Sequence, residues 1–424
     1  MQEDFLHYIW KHKKIDVLKL STAEYEKVEV ISVGQHNSNT GPDFFNAQLR
    51  IANQIWAGNV EIHVKSSDWF LHNHETDQAY DNVILHIVWE HDTDVFRKDN
   101  SKLPTLVLKD FVSENTVNNY KGLLNNSKDW INCETDFCDV DDFVIQNWLE
   151  RLFLERLEEK STGIELLLKQ SNNDWEAVLF KLLAKNFGLK VNGDAFCSVA
   201  NSIDFSIVRR LQFSVMQLES LLFGQANMLN ESIQEPYYLE LQKEYVYLKQ
   251  KFKLDNQGVL PIQYFRLRPN NFPTIRLSQF AMIYNLHSNL FSKLIELDTL
   301  KNFYNLFSAS TTEFWESHYI FSKLSKTSKK TISKSFIDLL LINTIIPIKY
   351  CYEKYHGKNN NEDILKLIQG IKSEKNTIIN KFQTLKPVSN SAIQSQALLQ
   401  LKQSYCDKDK CLQCAIGNSL LNRN

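Results

Sequence analysis

Four residues in the stretch 41–65 have types and spacing suited to chemistry on a phosphate ester: Asp43, Glu61, His63 and Lys65. Two carboxylates are hard oxygen ligands of the kind that hold Mg²⁺ or Mn²⁺. A divalent cation so held polarises a phosphoryl oxygen and activates water. A nearby lysine or histidine orients that water or stabilises the charge that develops. The plainer reading is that Asp43 caps a turn and Glu61 pairs with Lys65 along one strand face.

The elements that must position these residues follow from local pattern. Phe44 to Ile51 reads as a strand opened by Pro42-Asp43, with Asn53-Gln54 as a turn. A second strand follows from Ile55 to Lys65. Alternation along it places Glu61, His63 and Lys65 on one face and Ile62 and Val64 on the other. Val28 to Val33 and Leu103 to Leu108 are further strand candidates, and Val83 to Trp89 is apolar enough for a strand buried on both faces. Glu3 to Lys13 reads as a short helix, and Ser66 to Tyr80 as a second, entered at Ser67 or Asp68. The order is helix, strand, strand, strand, helix, strand.

That order, with Pro42-Asp43 and Glu61, resembles the PD-(D/E)XK nuclease superfamily. The resemblance implies a restriction-endonuclease-like mixed sheet flanked by helices, and metal-dependent cleavage of nucleic acid. The family lysine stands two residues after the acid, where this chain has His63. Either His63 takes that place or Lys65 reaches in. Glu3 would be the acid that the superfamily often draws from its first helix.

Histidines gather nearby: His63, His72, His74 and His86, with Asp68 and Asp77 among them. A His-x-His pair chelates Zn²⁺ or Mn²⁺ when it lies on a strand or turn. On a helix, His72 and His74 would point apart. The reading adopted is that His63 contacts a metal, while His72 and His86 support it by hydrogen bonding.

From about Asp141 the apolar spacing becomes helical. Ile145, Trp148, Leu149, Leu152 and Phe153 recur at helical offsets. So do Trp175, Val178, Leu179, Leu182 and Leu183, between a cap at Asp174 and Gly188. Phe336 to Tyr350 is helical in pattern, with Pro347 set to kink it. The apolar run inside it, Phe336 to Ile348, is too short to span a bilayer. Arg266, Arg268 and Arg276 flank a proline-rich bend, and Lys326, Lys329 and Lys330 sit in a segment without acids. These could contact nucleic-acid phosphates or pair with acids of the chain itself.

Cys406, Cys411 and Cys414 have the spacing of metal ligands for Zn²⁺ or an iron–sulfur cluster, either of which needs a fourth ligand. The candidates for it are Cys133, Cys138, Cys197, Cys351 and His356. A reduced cysteine turn without metal is the alternative.

Composition sets bounds on these readings. At 424 residues the chain exceeds one ordinary core. A net charge of −2 offers no global attraction to nucleic acid or membrane, so any basic footprint must be local. Seven cysteines without a disulfide framework, and a start lacking an apolar signal core, suggest a cytoplasmic protein. The segments GPDF, GNVEIH, SSDW, YDNVILH, ESLLFGQ, RPNNFPTIR and CLQCAIGN resemble a bacterial family of unknown function of about this length, which implies one integrated architecture.

The expectation is therefore an α/β nuclease-like domain over 1–135, a large all-α region over 136–400 and a cysteine knuckle over 401–424. The leading function is a metal-dependent nuclease. The alternatives are a non-catalytic nucleic-acid or protein-interaction scaffold and a histidine–carboxylate hydrolase of a smaller substrate.

Overall fold

The computed structural model describes residues 1–37, 39–124, 130–357 and 361–423. The chain forms two compact units. One is Met1–Trp148 with Leu401–Asn424, and the other is Leu149–Gln400. The terminal segment thus packs with the first unit rather than forming a third body.

The first unit is built on a six-stranded mixed sheet. Its elements are α1 (Glu3–Lys11), β1 (Val28–Ser32), β2 (Gln35–His36), β3 (Phe44–Ile51), β4 (Gln54–Lys65), α2 (Asp68–Leu71), β5 (Val83–Glu90), β6 (Thr105–Val107), α3 (Glu114–Leu124) and the start of α4 (Asp142–Gln170). The sheet order is β1-β3-β4-β5-β6, with β2 paired to the start of β3. β1, β3 and β4 form an antiparallel meander, whereas β4 to β5 and β5 to β6 are parallel. Parallel pairing requires a crossover, and the segment 66–82 supplies it.

The predicted strands all form. β3 spans the predicted range, and β4 and β5 differ from theirs by one residue at an end. The predicted helix from Ser66 to Tyr80 does not. Only Asp68–Leu71 is α-helical, and the chain then turns through Asn73 at φ 59°. Asn tolerates this left-handed conformation better than most residues. Trp69 anchors the crossover in a core with Tyr80, Val83, Val95 and Leu103. α1 buries Phe5, Leu6, Ile9 and Trp10 completely. Burial on that scale is worth about 1.5–3 kcal/mol per large apolar side chain, and it fixes the helix beside the start of β3.

The second unit is helical, with a two-stranded sheet, His318–Ile320 with Lys323–Leu324. Helix Trp175–Phe187 starts where the Asp174 carboxylate accepts the Ala177 amide. Phe180, Phe187, Phe280, Tyr284 and Phe336 pack as one aromatic core. Glu219 is fully buried, and its carboxylate accepts from the hydroxyls of Tyr237 and Thr312. Helix Lys334–Tyr355 is longer than the apolar run in the sequence, and by length and composition it could cross a membrane. Of that apolar window, 72% is buried inside the protein, as in a core helix. Pro347 does not break it. The helix widens into a π-turn at Leu341–Ile345, where the proline ring would otherwise meet the carbonyl four residues back.

Candidate metal centre

Asp43 ends the loop before β3, and Glu61 lies in the middle of β4. Antiparallel pairing of β3 with β4 brings them together, since Phe44 stands opposite Val60. The Asp43 amide donates to Glu61 Oε2 at 3.1 Å, and the Ile62 amide donates to Asp43 Oδ2 at 2.9 Å. Each carboxylate is thus held by the backbone at or next to the other.

Glu61 is 5% exposed, and burial, then the charge of Asp43, push its carboxyl up to about 9. Around its other oxygen stand imidazoles. His74 Nε2 lies 3.4 Å and His63 Nε2 3.6 Å from Glu61 Oε1. His63 Nε2 is in turn 3.1 Å from His72 Nδ1. His63, His72 and His74 each offer a ring nitrogen, all within 4.8 Å of one another. Four donors bound at about 2.0–2.1 Å to one tetrahedral ion stand about 3.3 Å apart. Three separations are of that size, 3.1 Å between His63 and His72 and 3.4 and 3.6 Å from Glu61 to His74 and His63, while the group that closes within 4.8 Å is the three histidines without Glu61.

Protonation suits the same purpose. His63 is 2% exposed, and burial, then His74 and His72, bring it down to about 3. A metal-binding imidazole must be neutral. His63 Nδ1 meets His86 Nε2 at 2.9 Å, which leaves His63 Nε2 to face Glu61. His86 is fully buried beside His63 on the next strand, where Glu61 stands opposite it in register. Burial lowers His74 as well, and its ring stacks on Tyr80 at 3.7 Å.

α1 adds two groups on one helix face. His7 Nε2 lies 3.2 Å from Asp43 Oδ2. The carboxyl of Glu3 is raised by burial first and then by Asp43, so it belongs to the same electrostatic neighbourhood. Lys65 is exposed two residues beyond His63, at the end of the same strand face.

The chain matches, over residues 3–377, the family described as protein of unknown function, DUF2851. It belongs to that family. No curated protein and no solved structure matches it. The family's description carries no activity. The matched segment includes Asp43, Glu61 and all the histidines above, and it stops before Cys406.

The structure brings together Asp43, Glu61 and His63, which the sequence reading singled out, and adds His7, which it did not, while His72, read there as a supporting residue, stands in the same histidine cluster. His74 was left without a role. The i, i+4 spacing of Glu3 and His7 on α1 was the available signal for His7. For His72 and His74 the signal was Asn73 between them, a residue prone to end a helix.

The basic residues of the second unit divide. Arg266, Arg268, Lys326 and Lys329 are exposed. Arg276 and Lys330 are not available to phosphate. Arg276 is 6% exposed, and its guanidinium donates to Asn271 and Gln279 at 2.6 and 2.8 Å while covering the Phe336 ring. Lys330 is 5% exposed and donates to the carbonyls of Trp315 and Glu316. A buried cation must find such partners within the fold.

Proposed function

We propose that the chain is a metal-dependent hydrolase of phosphodiester bonds, with nucleic acid as its substrate class. The observation that carries this reading is the convergence of His63, His72 and His74 within 4.8 Å, with Glu61 Oε1 3.6 Å from His63 and 3.4 Å from His74, beside Asp43. The sheet beneath has the element order that resembles the PD-(D/E)XK nucleases. Imidazole donors shift the expected ion from Mg²⁺ toward Zn²⁺ or Mn²⁺.

The donor set fits such an ion. Glu61, His63, His72 and His74 would hold it, with Asp43 adjacent. When bound, it supplies Lewis-acid polarisation of a phosphoryl oxygen and activation of water. His86 orients the His63 ring through its other nitrogen, as supporting partners of metal-binding histidines do. Asp43, fixed by the Ile62 amide and flanked by His7, can accept a proton from the attacking water. Lys65 presents its ammonium to the phosphate at the exposed end of the strand. His72 is exposed, so a substrate as large as a polynucleotide can approach. Seven free cysteines fit a reducing, cytoplasmic setting.

The test is to load purified protein with Mn²⁺ or Zn²⁺ and follow cleavage of labelled DNA and RNA. Lys65→Ala should slow turnover by about 10²-fold or more while leaving metal affinity unchanged. His63→Ala should lower metal affinity itself. Equal metal affinity in wild type and His63→Ala would remove His63 from the site.

A further inference from the structure

A second constellation lies apart from the histidine–carboxylate site. Of the seven cysteines, Cys197 and Cys351 belong to the second unit, where Cys197 accepts from Asn201 and Cys351 donates to the Ser161 carbonyl. Cys138 is exposed. The remaining four gather in the first unit. Cys133, Cys406, Cys411 and Cys414 line one small cavity, of about 20 Å³ to the centre of a water-sized sphere, whose other walls are mostly apolar side chains such as Leu123, Ile131, Leu401 and Ile416. Three of the four come from the spacing Cys-x4-Cys-x2-Cys, and the fourth comes from the segment just before α4.

The surroundings are those of a built site. The Asn132 side chain donates to Cys411 Sγ at 3.5 Å and to Asp409 at 3.0 Å. Gly417 is required where it stands: a Cβ there would lie 2.2 Å from the Cys411 carbonyl oxygen. The turn carrying Cys411 and Cys414 is therefore closed tightly on itself, with both sulfurs at the cavity.

Spacing separates the two metals that such a set could take. Four sulfurs on one zinc at about 2.3 Å would stand about 3.8 Å apart. The donor group that closes within 4.8 Å among the described residues is the histidine one, and the cysteines are not in it. Sulfurs set around a cavity instead of drawn to a point match a cluster, whose four irons each take one thiolate.

The geometry points to a [4Fe–4S] cluster ligated by Cys133, Cys406, Cys411 and Cys414. Ligation replaces four S–H bonds with four Fe–S bonds and releases four protons, with no change in the oxidation state of the cysteines. The cluster is assembled from iron and sulfide. It ties the segment before α4 to the C-terminal tail, and it is independent of the hydrolysis proposed above.

The full chain, purified without oxygen, should contain about four iron and four acid-labile sulfide per molecule. Cys133→Ser should lose both, whereas Cys138→Ser should retain them. Because Cys133→Ser could also fail to fold, native alkylation of the wild type gives a second reading. The four ligands should resist modification together and become reactive together when iron is chelated, while Cys138 reacts throughout. One zinc per chain without iron, neither metal, full iron in a folded Cys133→Ser, or alkylation of Cys133 with iron still bound would each overturn the assignment.

Discussion

Asp43 and Glu61 hold each other through the backbone: the amide of Asp43 binds the Glu61 carboxylate, and the amide after Glu61 binds the Asp43 carboxylate. The hairpin pairing of β3 with β4 enforces this reciprocity. It places two acids side by side with imidazoles as the nearest other ionisable groups, which is costly unless a proton or a cation intervenes.

Metal should stabilise the fold. Adding Zn²⁺ or Mn²⁺ at 100 times its dissociation constant should raise stability by about 2.7 kcal/mol, read as an upward shift in thermal unfolding. Glu61→Gln should abolish the shift and leave the metal-free protein at least as stable, since it removes one of two adjacent acids. His86→Asn should weaken metal binding about 10- to 100-fold, because His86 orients His63. An unchanged metal-induced shift in Glu61→Gln would take Glu61 out of the site.

Without metal, stability should fall as pH rises from about 6.5, above which the lowered His63, His74 and His86 no longer oppose the trend, to about 9. In that window the folded protein keeps a proton on Glu61 that the unfolded chain, with its ordinary value of 4.5, has released. The folded state then binds more protons, and stability declines with pH. The contribution is fully present below about 4.5 and lost by the upper end. Asp43→Asn should narrow the window, since the Asp43 charge is the second cause of the shift. Urea unfolding across this range checks both, and a flat profile in the wild type would contradict them.

A substitution in the second unit provides a control. A Cβ on Gly224 would lie 2.0 Å from the Tyr245 ring. Gly224→Ala should therefore destabilise the protein by about 1–3 kcal/mol through overpacking, measured by urea unfolding. Metal affinity at the histidine site should be unchanged.

Much of the sheet was legible because its strands carry strong local signals. Phe44–Ile51 alternates, and Val83–Glu90 is apolar on both faces. Asp43 and Glu61 were legible because a hairpin fixes which residues oppose each other. The rest of the site depends on contacts that local pattern does not encode. His72 and His74 read as diverging while 66–80 is taken for a helix. They share a site because the helix stops at Leu71 and Asn73 reverses the chain, with Trp69 and Tyr80 pinning the ends of the turn. His7 reaches Asp43 only once α1 has docked through Phe5, Leu6, Ile9 and Trp10. Arg276 and Lys330 look available in sequence, where nothing shows that a polar pocket awaits each of them inside the second unit.

The most direct measurement is cleavage of end-labelled DNA and RNA by metal-loaded protein, wild type against Glu61→Gln, with both confirmed to be folded. The account predicts that wild type cuts in the presence of Mn²⁺ or Zn²⁺, that chelation stops it, and that Glu61→Gln does not cut. Wild-type protein that binds the metal yet cuts neither nucleic acid, or a Glu61→Gln protein that cuts as well as wild type, would contradict it.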